Sequence, residues 1–246
     1  MRASGWVTLG IVCLAGGLGA VLAAQPTGEV GVAQYATTLV GRTPNQRHNA
    51  RLALSKLNGA EIAPGAEFSF NQRVGTWSRD TGYRRAPVSY NGTLIDAWGG
   101  GVCQTSTTLY NAALLAGLEI GERHPHHFAP SYCPPGRDAA VAFSGIDLRV
   151  RNVHGSTLRI RGRIEGDRLV VSLVSDRPLT GADVQSRVEQ ADLPREFVLD
   201  RGGDQRRIRN QGKAGWNVMT FRVWADRREL VSHDFYPAMH RIVEYR

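Results

Sequence analysis

GGGVCQTSTTLYNAALLAG, residues 99–117, sets three glycines before a cysteine and a helical pattern after it. Leu109, Ala112, Ala113 and Ala116 recur at the spacing of one helix face. That predicts a helix from near Cys103 to Ala116, with Gly117 in the position that ends it. A thiol at the mouth of such a helix lies where unpaired backbone N–H groups and the helix dipole favour an anion. This placement lowers a cysteine pKa from about 8.5 into the range of roughly 3.5 to 7.5. Cys103 is then either a small buried apolar residue or a nucleophile. The glycines would let a substrate backbone approach, and nearby N–H groups would hold an oxyanion. No Lys-Ser/Thr pair follows them, which excludes a nucleotide P-loop.

Upstream, TPNQRHNARLALSKLNG (residues 43–59) predicts a second helix. Thr43 suits the N-cap, Pro44 the first turn and Gln46 a capping box, and Asn58-Gly59 ends it. Ala50, Ala53, Leu54 and Leu57 give it one apolar face to lay on a sheet. EIAPGAEFSFNQRVG (61–75) alternates in short strand-like pieces, and Asn91-Gly92 between apolar runs marks a hairpin. LEIGERHPHHF (118–128) and DAAVAFSGIDLRVRN (138–152) read as strands, and residues 156–176 as a hairpin turning at Gly166-Asp167. Residues 180–211 turn polar and charged and are expected to be a linker or long loop, with a small β appendage over 212–246. The fold class expected is α+β: two main helices packed on a mainly antiparallel sheet, plus that appendage.

The N-terminus, MRASGWVTLGIVCLAGGLGAVLAAQPTG, has Arg2, an apolar run from Trp6 to Leu22 and small residues around Ala23. Residues 1–24 are expected to be a signal peptide, with an uncleaved anchor as the alternative. Cys13 does not suit a lipoprotein site because Val12 precedes it. Export to a bacterial cell envelope leaves Cys103 and Cys133, whose structural alternative is a disulfide. The formal charge of +8 over 246 residues favours polyanionic surroundings such as anionic wall polymers. No arginine cluster interleaves with aromatics, so nucleic acid is not expected as a partner. A membrane is expected only through the N-terminal segment, were it retained.

A nucleophilic cysteine needs a base, and His124, His126 and His127 follow the helix. On a strand His124 and His126 would share a face and His127 would point away. Asp138 and Asp147 are the candidates to orient the imidazole. The alternative is a zinc site built on the three histidines with Cys103 or Asp138. Glu122-Arg123 reads as an ordinary surface pair.

PGAEFSFNQRVG, GYRRAPV, GGGVCQTSTTLYNAALLAGLEIGERHPH, DAAV and DLRVRN, in that order, resemble the VanW family over residues 36–175. GWNVMTFRVW…DFYPAMHRIVEY is similar to the β tail that often accompanies that domain. The family is named for an accessory protein of vancomycin-resistance clusters, and some members are L,D-transpeptidases that cross-link peptidoglycan. The resemblance implies that Cys103 is the acyl-accepting nucleophile and that His124 and His126 match the paired histidines of the motif. Gly99 to Gly101, Gln104, Ser106 and Thr107 match its loop and helix start. TWSRDTG, His127 and Cys133 depart from the usual pattern, and Cys133 raises a regulatory disulfide with Cys103. The implied reaction is transfer of a peptidoglycan stem peptide through a Cys103 thioester. His126 is favoured over His124 as the proton carrier, and Asp138 over Asp147 as its orienting carboxylate. Gly100, Gly101, Gln104, Ser106 and Arg123 are the candidate substrate contacts. Gln104 would be an oxyanion donor, and Arg123 would hold a stem carboxylate or else form a structural salt bridge. No metal or cofactor is expected. The competing readings are a noncatalytic peptidoglycan-binding or resistance-accessory module and a cysteine peptidase acting on stem peptides.

Overall fold

The computed structural model describes residues 28–90 and 93–246, so the expected signal peptide and the Asn91-Gly92 turn lie outside the described residues. The elements run β1 (Val30–Thr38), α1 (Pro44–Leu57), β2 (Glu61–Ile62), β3 (Glu67–Ser69), α2 (Phe70–Val74), β4 (Arg85–Tyr90), β5 (Thr93–Trp98), α3 (Val102–Leu115), β6 (Glu119–Glu122), β7 (Arg149–Arg151), β8 (Leu158–Glu165) and β9 (Arg168–Ser175). Six strands follow: β10 (Asp183–Asp192), β11 (Glu196–Asp200), β12 (Arg206–Lys213), β13 (Gly215–Val223), β14 (Arg228–Tyr236) and β15 (Met239–Tyr245). The class is mixed α+β.

The capping box closes α1: the Thr43 hydroxyl accepts from the Gln46 N–H, and the Gln46 side chain accepts from the Thr43 N–H. Ala50, Ala53, Leu54 and Leu57 are buried as expected. This face packs on the antiparallel sheet β1-β9-β8-β2. Gly162 of β8 permits the close approach, since a Cβ there would stand 2.6 Å from Leu54 Cδ1. The β8–β9 hairpin turns at Gly166-Asp167.

Helix α3 is the centre of the molecule. Twelve of its 14 residues are buried, so it has no solvated face. Its polar side chains must therefore find partners inside. Thr105 donates to the Ala50 carbonyl, Ser106 to that of Ala139, and Asn111 to those of Thr107 and Arg137. These bonds fasten the 137–141 segment along the helix.

Three expectations change. The described residues hold three helices rather than two: Phe70–Val74 is helical because the Ser69 hydroxyl caps it, accepting from the Gln72 N–H. The strand read over 118–128 is confined to Glu119–Glu122, and His124 makes only an isolated bridge with Ala140. Residues 180–211 are not a linker, because β10, β11 and most of β12 occupy them. Their charge reflects exposed faces; every residue of β11 is exposed. They join the downstream strands as β10-β13-β14 and β11-β15-β12, the latter with one parallel pair, β11·β15. No helix among the described residues is long and apolar enough to cross a membrane.

Candidate active site

Cys103 is the second residue of α3, behind a backbone cap. Gly101 holds φ 109° at the N-cap and offers no side chain to the helix. Val102 N–H donates to the Gly99 carbonyl and Gln104 N–H to that of Gly101, while the Cys103 N–H between them has no acceptor among the described residues. The glycines serve close packing by the protein itself. A Cβ would lie 2.3 Å from Trp77 Cδ1 at Gly99, 2.7 Å from the Pro87 carbonyl at Gly100 and 2.4 Å from the Gln46 carbonyl at Gly101. Asn49, fully buried on α1, donates to the Gly100 and Arg84 carbonyls and locks the loop.

The segment after β6 folds back over the thiol. Cys103 Sγ donates to the Val141 carbonyl at 3.3 Å and stands close enough to the His126 side chain for the imidazole to lower its pKa. His126 is anchored twice on Asp138 Oδ2, by its own N–H at 2.7 Å and by Nδ1 at 2.6 Å. That leaves Nε2 for the sulfur. Asp138 is fully buried, and its other oxygen accepts from the Tyr236 hydroxyl at 2.6 Å and from Arg123 at 3.2 Å. Thiol, imidazole and carboxylate thus stand in line, with β14 behind the carboxylate.

Burial alone would raise the Cys103 pKa, but the His126 hydrogen bond and charge outweigh it and hold the thiol below its ordinary value. Burial would likewise lower His126, yet Asp138 and Cys103 push it up to about 10. The imidazolium thus favours the thiolate, and Cys103 ionises more readily than an ordinary cysteine. Asp138 is held below the usual carboxylate range; burial opposes this, and His126, Arg123 and Tyr236 prevail.

The other sequence candidates go elsewhere. His124 bonds Glu122 Oε1 at 3.0 Å and is half-exposed, and His127 stacks edge-on against Phe128. Asp147 accepts from the Ser69 hydroxyl and the Asn71 N–H, fixing α2. The Gln104 amide donates to Thr37 Oγ1 and the Thr38 carbonyl on β1, so it is not offered as an oxyanion donor. Ser106 donates to the Cys103 and Ala139 carbonyls and ties the helix to the segment carrying Asp138. Arg123, only 5% exposed, bridges Asp138 and Asp234, which makes it an interior ion pair and neither a surface pair with Glu122 nor a free carboxylate receptor. Cys133 is a free, buried thiol whose pKa burial pushes up, and Cys103 is free as well. Among the described residues no three His, Cys, Asp or Glu side chains converge on a metal position.

Four side chains that the sequence did not single out join the site. Tyr132 is held well above its ordinary pKa, first by burial and then by the charges of Cys103 and Cys133. Arg42 lies over its ring, 4.7 Å from the centroid. Tyr236 and Asp234 come from β14. None has a local sequence signature.

The family model described as VanW like protein matches residues 45–174, more than half of the chain and all of the thiol, imidazole and carboxylate positions. The chain belongs to the VanW family. Within it, the uncharacterised protein YoaR of Bacillus subtilis is 38% identical over 142 residues, covering 58% of this chain and 47% of YoaR. The Vancomycin B-type resistance protein VanW of Enterococcus faecalis is 32% identical over 165 residues, covering 65% of this chain and 58% of that protein. The chain thus spans about half the length of the curated relatives it matches. No solved structure gives a significant match. The VanW match stops before β10, so Tyr236 and Asp234 lie outside it.

Proposed function

We propose that this VanW-family chain acts at the bacterial cell envelope as a cysteine acyltransferase, an L,D-transpeptidase joining peptidoglycan stem peptides. The observation that carries the reading is the grouping of Cys103, His126 and Asp138 at the start of a buried helix, with the Cys103 N–H left without an acceptor among the described residues. The similarity to the enterococcal Vancomycin B-type resistance protein supports a cell-wall setting.

In the first half-reaction the Cys103 thiolate attacks the carbonyl carbon that precedes a terminal D-alanine. The oxyanion forms next to the Cys103 N–H and the N-terminal dipole of α3. The C–N bond then breaks, and imidazolium His126 gives its Nε2 proton to the departing amine, leaving a thioester on Cys103. In the second half an amine of a neighbouring stem attacks the thioester, its proton passes to His126, and the thiolate leaves. Asp138 keeps the imidazole oriented throughout.

Intact mass of the reduced protein after incubation with tetrapeptide-stem muropeptides tests this, beside Cys103→Ala. An acyl adduct on the wild type alone, with dimeric muropeptides among the products, is the expected result. Shortened monomers without dimers would mean hydrolysis. Neither adduct nor product from a protein with a free Cys103 would leave only a binding role.

A further inference from the structure

Asp138 has more demands on it than the thiol site explains. Its Oδ2 serves His126 alone, through two hydrogen bonds. Its Oδ1 faces β14, where the Tyr236 hydroxyl donates to it at 2.6 Å. The same hydroxyl oxygen accepts from the Gly136 N–H at 3.1 Å and from Arg123 at 3.3 Å, so all of its hydrogen-bonding capacity is used. The Tyr236 ring is fully buried in a small core with Ala129, Val218 and Trp216. Arg123 meets Asp138 twice, at its carbonyl (2.7 Å) and its carboxylate, and reaches Asp234 Oδ1 at 2.5 Å. Asp234 is buried too and accepts from Ser232 at 2.9 Å.

Charge balance gives these contacts a purpose. Two buried cations, Arg123 and protonated His126, flank one carboxylate, Asp138. Without a second carboxylate, Arg123 would draw Asp138 toward itself, because an unpaired buried charge is costly. Asp234 neutralises Arg123 and leaves Asp138 free to serve His126.

We infer that the C-terminal β unit completes the thiol site, with Tyr236 and Asp234 acting as positioning residues that aim Asp138, and through it His126, at Cys103. The inference deepens the acyl-transfer reading and rests on it for the consequence in turnover. It places part of the machinery outside the segment that the VanW model matches.

The test uses the full chain and two near-isosteric variants, Tyr236→Phe and Asp234→Asn. Phe235→Ser, at an exposed side chain on the same strand, is the control. Thermal melts establish that each folds. Iodoacetamide alkylation of Cys103, followed by intact mass against pH, reads the thiolate directly, whatever the substrate. Tyr236→Phe removes the donor that aims Asp138, so the carboxylate turns from His126, the imidazolium is held less well beside Cys103, and the acid limb of thiol ionisation should rise by about one pH unit. Asp234→Asn should move the limb in the same direction, and turnover should fall about tenfold in kcat with KM unchanged. Phe235→Ser should leave both readings as in the wild type. Folded variants with an unmoved alkylation profile would overturn the inference, even if turnover fell, because a merely structural role would explain that loss. A displaced profile in a protein that processes no muropeptide would uphold the positioning role and overturn the acyl-transfer reading instead.

Discussion

Cys103 and Cys133 are the same side chain with opposite characters. Cys133 is buried without a cationic neighbour close enough to offset its desolvation, and its thiol is pushed up. Cys103 meets an imidazole held protonated to about pH 10, and its thiol is pulled down. Alkylation of Cys103 should therefore rise through a pKa below the ordinary 9.0 and then stay level. Turnover needs the imidazolium as well, so it should follow the same acid limb and fall again as pH climbs through about 10. A pH–rate series for the two processes checks this; an alkylation midpoint near 9 would contradict it. In His126→Ala the thiol loses its partner, and alkylation at pH 6 should slow by about tenfold or more, even though a more basic thiolate is intrinsically the better nucleophile. The residue types at this site were legible, because cysteine, histidine and aspartate in that order suggest one chemistry. The choice between His124 and His126 was not. It turns on Pro125 and the end of β6 at Glu122, beyond which alternation no longer decides which way a side chain faces.

The elements that read clearly were those whose ends carry their own chemistry. Thr43, Pro44 and Gln46 start α1, Gly166-Asp167 turns β8 into β9, and the small residues of α3 mark a helix packed closely on its neighbours. Helix α2 was missed although Ser69 precedes Gln72 by three residues, because a five-residue helix offers no periodicity to detect. Strands β10 and β11 were missed for the opposite reason. Their exposed faces leave the polar composition of a loop, and only pairing with β13 and β15 makes them strands. The glycine triplet was noticed, but not the close approach it permits to α1, β4 and Trp77. Gly101→Ala places a Cβ at φ 109° and 2.4 Å from the Gln46 carbonyl. It should destabilise the fold by roughly 2 kcal/mol or more and lower Tm by about 5 °C. Gly31→Ala, in open space without a positive φ, should change Tm by less than about 2 °C. Equal melting of the two variants would mean that the close approach is not needed.

Across the whole molecule, the amino-terminal α+β part and the carboxy-terminal strands are joined by polar anchors beside the C-terminal half of α3. Arg222 donates to the Leu118 carbonyl, Ala182 N–H to that of Leu115 at 2.8 Å, Arg137 to that of Val184 at 3.2 Å, and Thr220 to that of Gly136 at 3.2 Å. Gly136 leaves no space for drift here, since a Cβ would lie 2.4 Å from Thr220 Oγ1. Buried anchors of this kind lose their partners together, so calorimetry of the full chain should show one unfolding transition rather than two. Two separated peaks would show that the carboxy-terminal strands fold independently. None of these anchors was legible in the sequence, because each joins residues far apart in the chain and no local pattern announces a partner at that distance.

The bond from Tyr236 to Asp138 also sets a timetable. The two residues are 98 positions apart, so during synthesis the carboxylate emerges long before the hydroxyl that steadies it. On the positioning proposal, a chain whose β14 has not docked lacks Asp234 beside Arg123 and the Tyr236 donor on Asp138, and its Cys103 should react as an ordinary thiol. Such a chain would carry its reactivity unassembled, and docking of β14 would arm it.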